Sequence, residues 1–219
     1  MNSRSGYRGL RRTPSRQALL GAAEELFGAQ RFGSVSIDEI VDRAGVGKGT
    51  FYNHFTGKDD IGKQLALAIR SEVRDRIAPL KATSADPAIH LAIAMALFLD
   101  LARTRPNRAR ILSMMLADAS NADADMNSRL RGTLEAGLAS GRFRFRSIEA
   151  AVTLVIGIVS AGMRSILDKR SVMPDATLGD LIVHALVALG VSREDAEKVS
   201  GNHLSEIAYR SGGNGLHKT

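Results

Sequence analysis

The stretch that decides the fold is Ser36-Ile37-Asp38-Glu39-Ile40-Val41-Asp42-Arg43-Ala44-Gly45-Val46-Gly47-Lys48-Gly49-Thr50-Phe51-Tyr52-Asn53-His54-Phe55. It reads as two short helices joined by a glycine turn. Ser36 followed three residues later by Glu39 is a capping box, in which each side chain satisfies a backbone N–H left over at a helix start. Ile37, Ile40, Val41 and Ala44 recur at helical spacing and form one buried face. Gly45 stands where a helix ends in the left-handed conformation, which glycine adopts without steric cost. Val46 plugs the corner, and a second helix starts near Gly47 with Phe51 and Phe55 turned inward. Lys48, Gly49, Thr50, Tyr52, Asn53 and His54 are left on the outer face. A cation, hydroxyls, an amide and an imidazole together suit a polyanion, and the pattern is a helix-turn-helix whose second helix can enter a DNA major groove.

Working outward, Pro14 and Ser15 open a helix with Leu19, Leu20, Ala23, Leu26 and Phe27 as its buried stripe. Arg16 and Ser36 lie at helix starts that face the duplex in such an arrangement, which makes them phosphate-contact candidates. After Phe55, a turn at Thr56 to Asp60 leads into a long helix to about Ile77. Its acidic first turn agrees with the helix dipole, and Lys58 lies near N–H groups that suit a phosphate. Upstream, residues 1–14 form a basic arm read as disordered, with Arg4, Arg8, Arg11 and Arg12 able to follow a DNA backbone or enter a narrow minor groove. The same arginines and serines resemble a transit peptide or a twin-arginine signal, but Glu24 and Glu25 break the apolar run that follows.

The segment from Ser15 to Ile77 closely resembles the DNA-binding domain of the TetR family of transcriptional regulators. The matching residues are Ala44 to Phe55, with the aromatic run Phe51-Tyr52-Asn53-His54-Phe55, and then Lys58. Many family members carry serine at the position of Gly47. Glycine caps a helix nearly as well but offers no hydroxyl to a phosphate. The resemblance implies that Arg16, Ser36, Gly47, Lys48, Gly49, Thr50, Tyr52, Asn53, His54 and Lys58 form the DNA-binding surface. Thr50, Tyr52, His54 and Lys58 would mainly grip phosphate, with Lys48 and Asn53 reaching base edges.

Bulk properties agree. A chain of 219 residues has ample material for a core, and its formal charge of +7 fits an anionic partner. There is no cysteine, so disulfides and thiolate metal sites are excluded and a reducing, cytoplasmic setting is expected. The apolar run from Ala150 to Met163 is shorter than the roughly 18–20 residues a membrane helix needs, so no membrane partner is expected.

Pro79 to Pro87 brackets small polar residues and marks the expected domain boundary. The division is placed at 1–14 arm, 15–79 DNA-binding domain with its linking helix, 80–210 second domain and 211–219 flexible tail. Beyond Pro87 the chain reads as successive helices: 88–103, one opened by Pro106, 126–140 ended by Gly141, 147–167 and 178–189 ended by Gly190. A weaker amphipathic segment follows. Arg142 to Arg146 alternates like a strand, but with no second strand to pair it reads as an extended connector. The fold class is therefore all-α: an N-terminal three-helix helix-turn-helix domain followed by a helical-bundle ligand-binding and dimerisation domain.

The resemblance implies a homodimer formed through the last two long helices, reading a palindromic double-stranded operator, and a small apolar or amphipathic effector bound in the second domain. From helices that surround the family's pocket come Met95, Phe98, Met114, Met115, Leu134, Leu138, Thr153, Ile156 and Met163. The function expected is a transcriptional regulator, a repressor released by its ligand; the alternative is a basic membrane-surface or protein-interaction module. No cofactor is implied. Gly47-Lys48 is followed by Gly49 where a phosphate-binding loop needs Ser or Thr. The histidines show no metal-ligand spacing, His90 and His184 read as interior or interface residues, and no catalytic arrangement is present, so an enzyme is not expected.

Overall fold

Residues 14–30, 32–81, 84–118, 124–168 and 175–201 are described by a computed structural model, and every regular element among them is helical. The N-terminal arginine arm, the tail and the side chain of Met115 fall outside the described residues. The chain divides into two compact units, residues 1–65 and 66–219.

The first unit contains α1 (Pro14–Ala29), a single 3₁₀ turn (Phe32–Ser34), α2 (Ile37–Ala44), α3 (Lys48–Tyr52) and the opening turns of α4 (Lys58–Lys81). Its core holds most of the residues the apolar spacing selects, but Leu20, Ile37 and Ala44 are only half-buried, and Val35 and Ile61 join the core. Leu19, Phe27, Ile40, Phe51 and Ile61 are fully buried, with Phe55 beside them. Phe51 and Phe55 meet with ring centroids 5.6 Å apart, and Phe27 meets Phe32 at 4.7 Å. Burying one such ring contributes roughly 1.5–3 kcal/mol, so these rings fix how α3 stands on α1 and α2. The capping box of α2 is complete. Ser36 Oγ accepts from the Glu39 N–H at 3.2 Å, and Glu39 Oε2 accepts from the Ser36 N–H at 2.7 Å. Gly45 ends the helix at φ 67°, its N–H donating to Asp42 at 3.2 Å.

Two local expectations change. Ser15 lies within the first turn of α1, which starts at Pro14, rather than capping it. Pro79 does not interrupt α4, which continues to Lys81. A proline costs a helix the bond to the carbonyl four residues earlier. Here the carbonyl that loses its partner is that of Asp75, an exposed residue near the end of the helix, where water can take the place of the N–H.

The second unit is built around α5 (Pro87–Thr104), with α6 (Pro106–Asp118), α7 (Ala124–Ala139), α8 (Ile148–Leu167) and α9 (Asp175–Ala188) all packed against it. A further helical stretch follows over 193–201. Asp86 caps α5, accepting from the Ala88 N–H at 2.8 Å with Pro87 in the first turn. The later turns of α4 are tied to α5 and α6 by ion pairs. Glu72 bonds Arg105 at 3.3 Å and also Arg108, and Arg76 stands 3.6 Å from the buried carboxylate of Asp100.

The connector Arg142 to Arg146 is extended without strand pairing. Phe143 is buried against Gly137, where an added Cβ would lie 2.0 Å from the ring. Arg142 joins Asp86, at 2.9 Å, to Asp195. The Asp86 bond in particular holds the Arg142 guanidinium above its ordinary pKa. By length and composition α5 and α8 could each cross a membrane, a test that core helices also pass, and 61% of α5 is buried against 39% of α8.

Candidate functional sites

Two places on the molecule have the chemistry of a site. The first is the outer face of α3. This helix is shorter than its polar pattern implies: five residues, followed by a turn in which the His54 and Phe55 N–H groups both donate to the Phe51 carbonyl. Phe51 is fully buried and Phe55 nearly so, which forces the remaining side chains outward. Tyr52 is 53% exposed, although it is a large aromatic residue. Lys48, Gly49 and Asn53 are exposed beside it, and Gly47 caps the helix without a side-chain bond. Among the described residues, nothing beyond the chain neighbours and the helix's own backbone lies within 4 Å of where a Cβ would sit on Gly47 or Gly49. Backbone is thus open to approach from outside.

Lys48 is engaged with Asp38 on α2 at 2.7 Å, both side chains more than half exposed. The bond to Asp38 raises the lysine pKa. An exposed pair of this kind contributes little to stability, so a phosphate or a guanine edge can replace the aspartate at small cost.

The other candidates on this unit are not all free to act. Lys58 opens the first turn of α4, and its ammonium is engaged by the residues that precede α2. Its ammonium donates to the carbonyls of Phe32 at 2.9 Å, Gly33 at 3.2 Å and Val35 at 2.9 Å, and lies 5.0 Å from the Phe32 ring centroid. All three protons are used, which makes Lys58 a cap for the turn before α2. Arg16 donates to Gln64 and stacks over Phe55 at 5.5 Å. The Ser36 hydroxyl belongs to the capping box. The bond from the Ser36 N–H, with the hydroxyl adding to it, lowers the Glu39 pKa. His54 and Thr50 are half-buried, with His54 Nε2 3.1 Å from Ser15 Oγ. Asp60 supports the same corner. Burial works to raise its pKa, but hydrogen bonds from Gln64 and Thr56, with help from Arg16, hold it below the usual value.

The second place is a cavity of about 500 Å³ lying wholly within the second unit. Its apolar wall comes from Leu91, Ala94, Met95 and Phe98 on α5 and from Val155, Ile156 and Val159 on α8, with Leu67, Ile77 and Ala78 on α4 and Leu130 on α7. Its polar groups come mainly from two other helices: Arg70, Ser71 and Arg74 on α4, and Asn127, Ser128, Arg129 and Thr133 on α7. His90 also lines it, its Nε2 2.7 Å from the Ser84 carbonyl.

Of the residues expected to hold a ligand, Met95, Phe98 and Ile156 line this cavity. Leu134 and Met163 are fully buried elsewhere in the core, Met114 is half-buried outside the lining, and Leu138 and Thr153 are exposed away from it. Apolar spacing identifies a buried face but not which part of it borders a void. His184 is exposed within one chain rather than interior. Arg70 and Asn127 were not among the expected residues. A signal existed: position 70 falls four after Ala66 and three before Val73, both buried, so a cation stands on the edge of an apolar stripe.

Comparison with known proteins places both units. Residues 19–65 match the family described as bacterial regulatory proteins, tetR family. Residues 86–202 match the family described as tetracyclin repressor-like, C-terminal domain. The chain is 31% identical over 75 residues to the HTH-type transcriptional regulator LmrA of Bacillus subtilis (strain 168), a match covering 34% of this chain and 40% of that one. Its backbone is similar to a tetR family transcription regulator from Shewanella sp. PV-4, with a TM-score of 0.68 and 23% identity over 83% of this chain and 100% of the other. It is also similar to RolR in complex with resorcinol, with a TM-score of 0.64 and 23% identity over 85% of this chain and 92% of that one.

Proposed function

Because this chain belongs to the tetR family of bacterial regulatory proteins, we propose that it is a sequence-specific repressor released from its operator by a small molecule. The observation that carries the reading is the outward face of α3, where Lys48, Tyr52 and Asn53 stand exposed on two buried phenylalanines. Lys48 and Asn53 have the donors to read a guanine or adenine edge in the major groove. Tyr52 and Thr50 grip phosphate and set the register. No catalytic step is assigned to any residue, and the place of action is the cytoplasm, with the chromosome.

The protein works as a homodimer joined through α8 and α9, on an operator of two inverted half-sites. The apolar length of α8 is 39% buried within one chain, and a face of that kind calls for a protein partner. Two copies of α3 set about 34 Å apart meet successive major grooves on one side of a duplex. The effector occupies the cavity. Six residues of its lining, from Leu67 to Ala78, belong to α4, the helix whose first turn carries Lys58 of the DNA-binding unit. A ligand that favours one placement of α4 over another shifts the population away from the operator-bound form.

The deciding experiment is a gel shift with DNA flanking the protein's own coding region, run against scrambled duplex and against vesicles of anionic lipid, with sedimentation alongside. A dimer that retains the flanking DNA under scrambled competitor supports the reading. Equal retention of every duplex, or binding to vesicles alone, replaces it with a basic surface-binding module.

A further inference from the structure

Lys48 carries a partner that none of the DNA contacts above explains. Asp38, in the first turn of α2, holds the Lys48 ammonium at 2.7 Å, Oδ1 to Nζ. Both side chains are more than half exposed, and neither has another ion pair among the described residues. The capping box of Ser36 and Glu39 sets the start of α2, and the left-handed Gly45 turns the chain so that Lys48 opens α3 beside it. Helix formation does not require Asp38, since Glu39 already supplies an acid to that turn. Nor does stability, because an exposed pair contributes little. A carboxylate on a surface that meets a polyanion is unfavourable for association, so its place there calls for a role in recognition.

A lysine ammonium has three N–H groups. One goes to Asp38, and the two that remain match the two acceptors, N7 and O6, of a guanine edge. Holding the ammonium also fixes a flexible stem before DNA arrives, so less rotamer entropy is lost on binding. A guanine edge carries no net charge and can accept its bonds with the pair intact. A phosphate instead draws the ammonium away and leaves the carboxylate uncompensated beside like charge. We propose that Asp38 is a specificity-determining residue, which positions the Lys48 ammonium for a guanine and withholds it from the phosphates that every duplex offers. This rests on the reading of the α3 face as the DNA-reading surface.

The test uses the full-length protein and two duplexes: the one that the wild type enriches most from a random library, and a scrambled duplex of the same composition. Affinities are read by fluorescence anisotropy at several salt concentrations for the wild type, Asp38→Asn, Lys48→Ala and the double variant, with thermal unfolding on the same samples. Asp38→Asn is expected to bind the scrambled duplex more tightly, with a log–log salt slope steeper by about 0.9, one phosphate contact. Its preference for the enriched duplex falls roughly tenfold, the scale of one charged hydrogen bond. In the Lys48→Ala background the same substitution leaves the preference as it was. If Asp38→Asn does not fold, Asp38→Ser, equally uncharged, is measured in its place. An unchanged preference, or an equal fall in the Lys48→Ala background, overturns the assignment of Asp38 while the reading face stands. If the wild type enriches no duplex, or Lys48→Ala keeps the full preference, the face itself is misread and both statements fall.

Discussion

The face of α3 and the cavity of the second unit are built on opposite plans. The α3 face is local: its residues lie within a few positions of one another, and two phenylalanines determine which side chains point out. The cavity is assembled from α4, α5, α7 and α8, with lining residues from Leu67 to Val159, and its identity depends on which buried faces fail to meet. A function encoded locally is legible in a motif. A function encoded in the gap between helices is not.

The largest expected effect tests whether the α3 face depends on its rings. Phe51→Ala should destabilise the protein by roughly 3–5 kcal/mol, the usual cost of emptying a buried aromatic site, as read by urea denaturation. A loss below about 1 kcal/mol would mean that α3 is held by something other than its core contacts.

Next is the exposed partner of that ring. Tyr52→Ala should weaken operator binding by about tenfold or more through a lost phosphate contact while leaving thermal unfolding within about 0.5 kcal/mol of the wild type. Fluorescence anisotropy and calorimetry on the same sample separate the two. Unchanged affinity would remove Tyr52 from the interface.

Ser36→Ala should cost about 1 kcal/mol, as the loss of an N-cap usually does. Its pH dependence sharpens the point. The folded-state pKa of Glu39 lies below its ordinary value, so the stabilisation is complete above the unfolded pKa and is lost as pH falls through the folded one. The acid limb of the stability profile should therefore be shallower in Ser36→Ala. The difference is only the hydroxyl's part, because the backbone N–H at position 36, the larger cause, is kept; identical limbs would mean that the hydroxyl adds nothing to the shift.

The smallest effect is the most diagnostic of an approach by backbone. Gly49→Ala should raise stability by up to about 1 kcal/mol, the helix-propensity gain, since among the described residues nothing beyond the helix itself lies within 4 Å of the new Cβ. If α3 seats against a duplex at this point, operator affinity falls while stability rises. Gains in both would show that the glycine is not at the contact.

Much of the first unit was legible in advance because its devices are short-range: the Ser36–Glu39 box, the left-handed Gly45, the Phe51 and Phe55 pair. What could not be read there is which donors find partners far along the chain: the Lys58 ammonium donates to the carbonyls of Phe32, Gly33 and Val35, and Arg16 is held by Gln64 and Phe55. In the second unit the helices could be placed, with Gly141, Ser147 and Gly190 as their punctuation. Thr153 and Leu138 could not be told from Ile156 and Met95, because period shows a face and not its neighbour. Arg70 escaped notice for the converse reason, since charge in a helix is ordinarily taken for surface.

Selection of bound sequences from a random duplex library, with wild type and Lys48→Ala in parallel, tests the central claim most directly. The wild type is expected to enrich a two-fold symmetric motif, and Lys48→Ala to lose or alter one base preference in each half-site. No enriched motif, or the same motif held with the same affinity by Lys48→Ala, would contradict it.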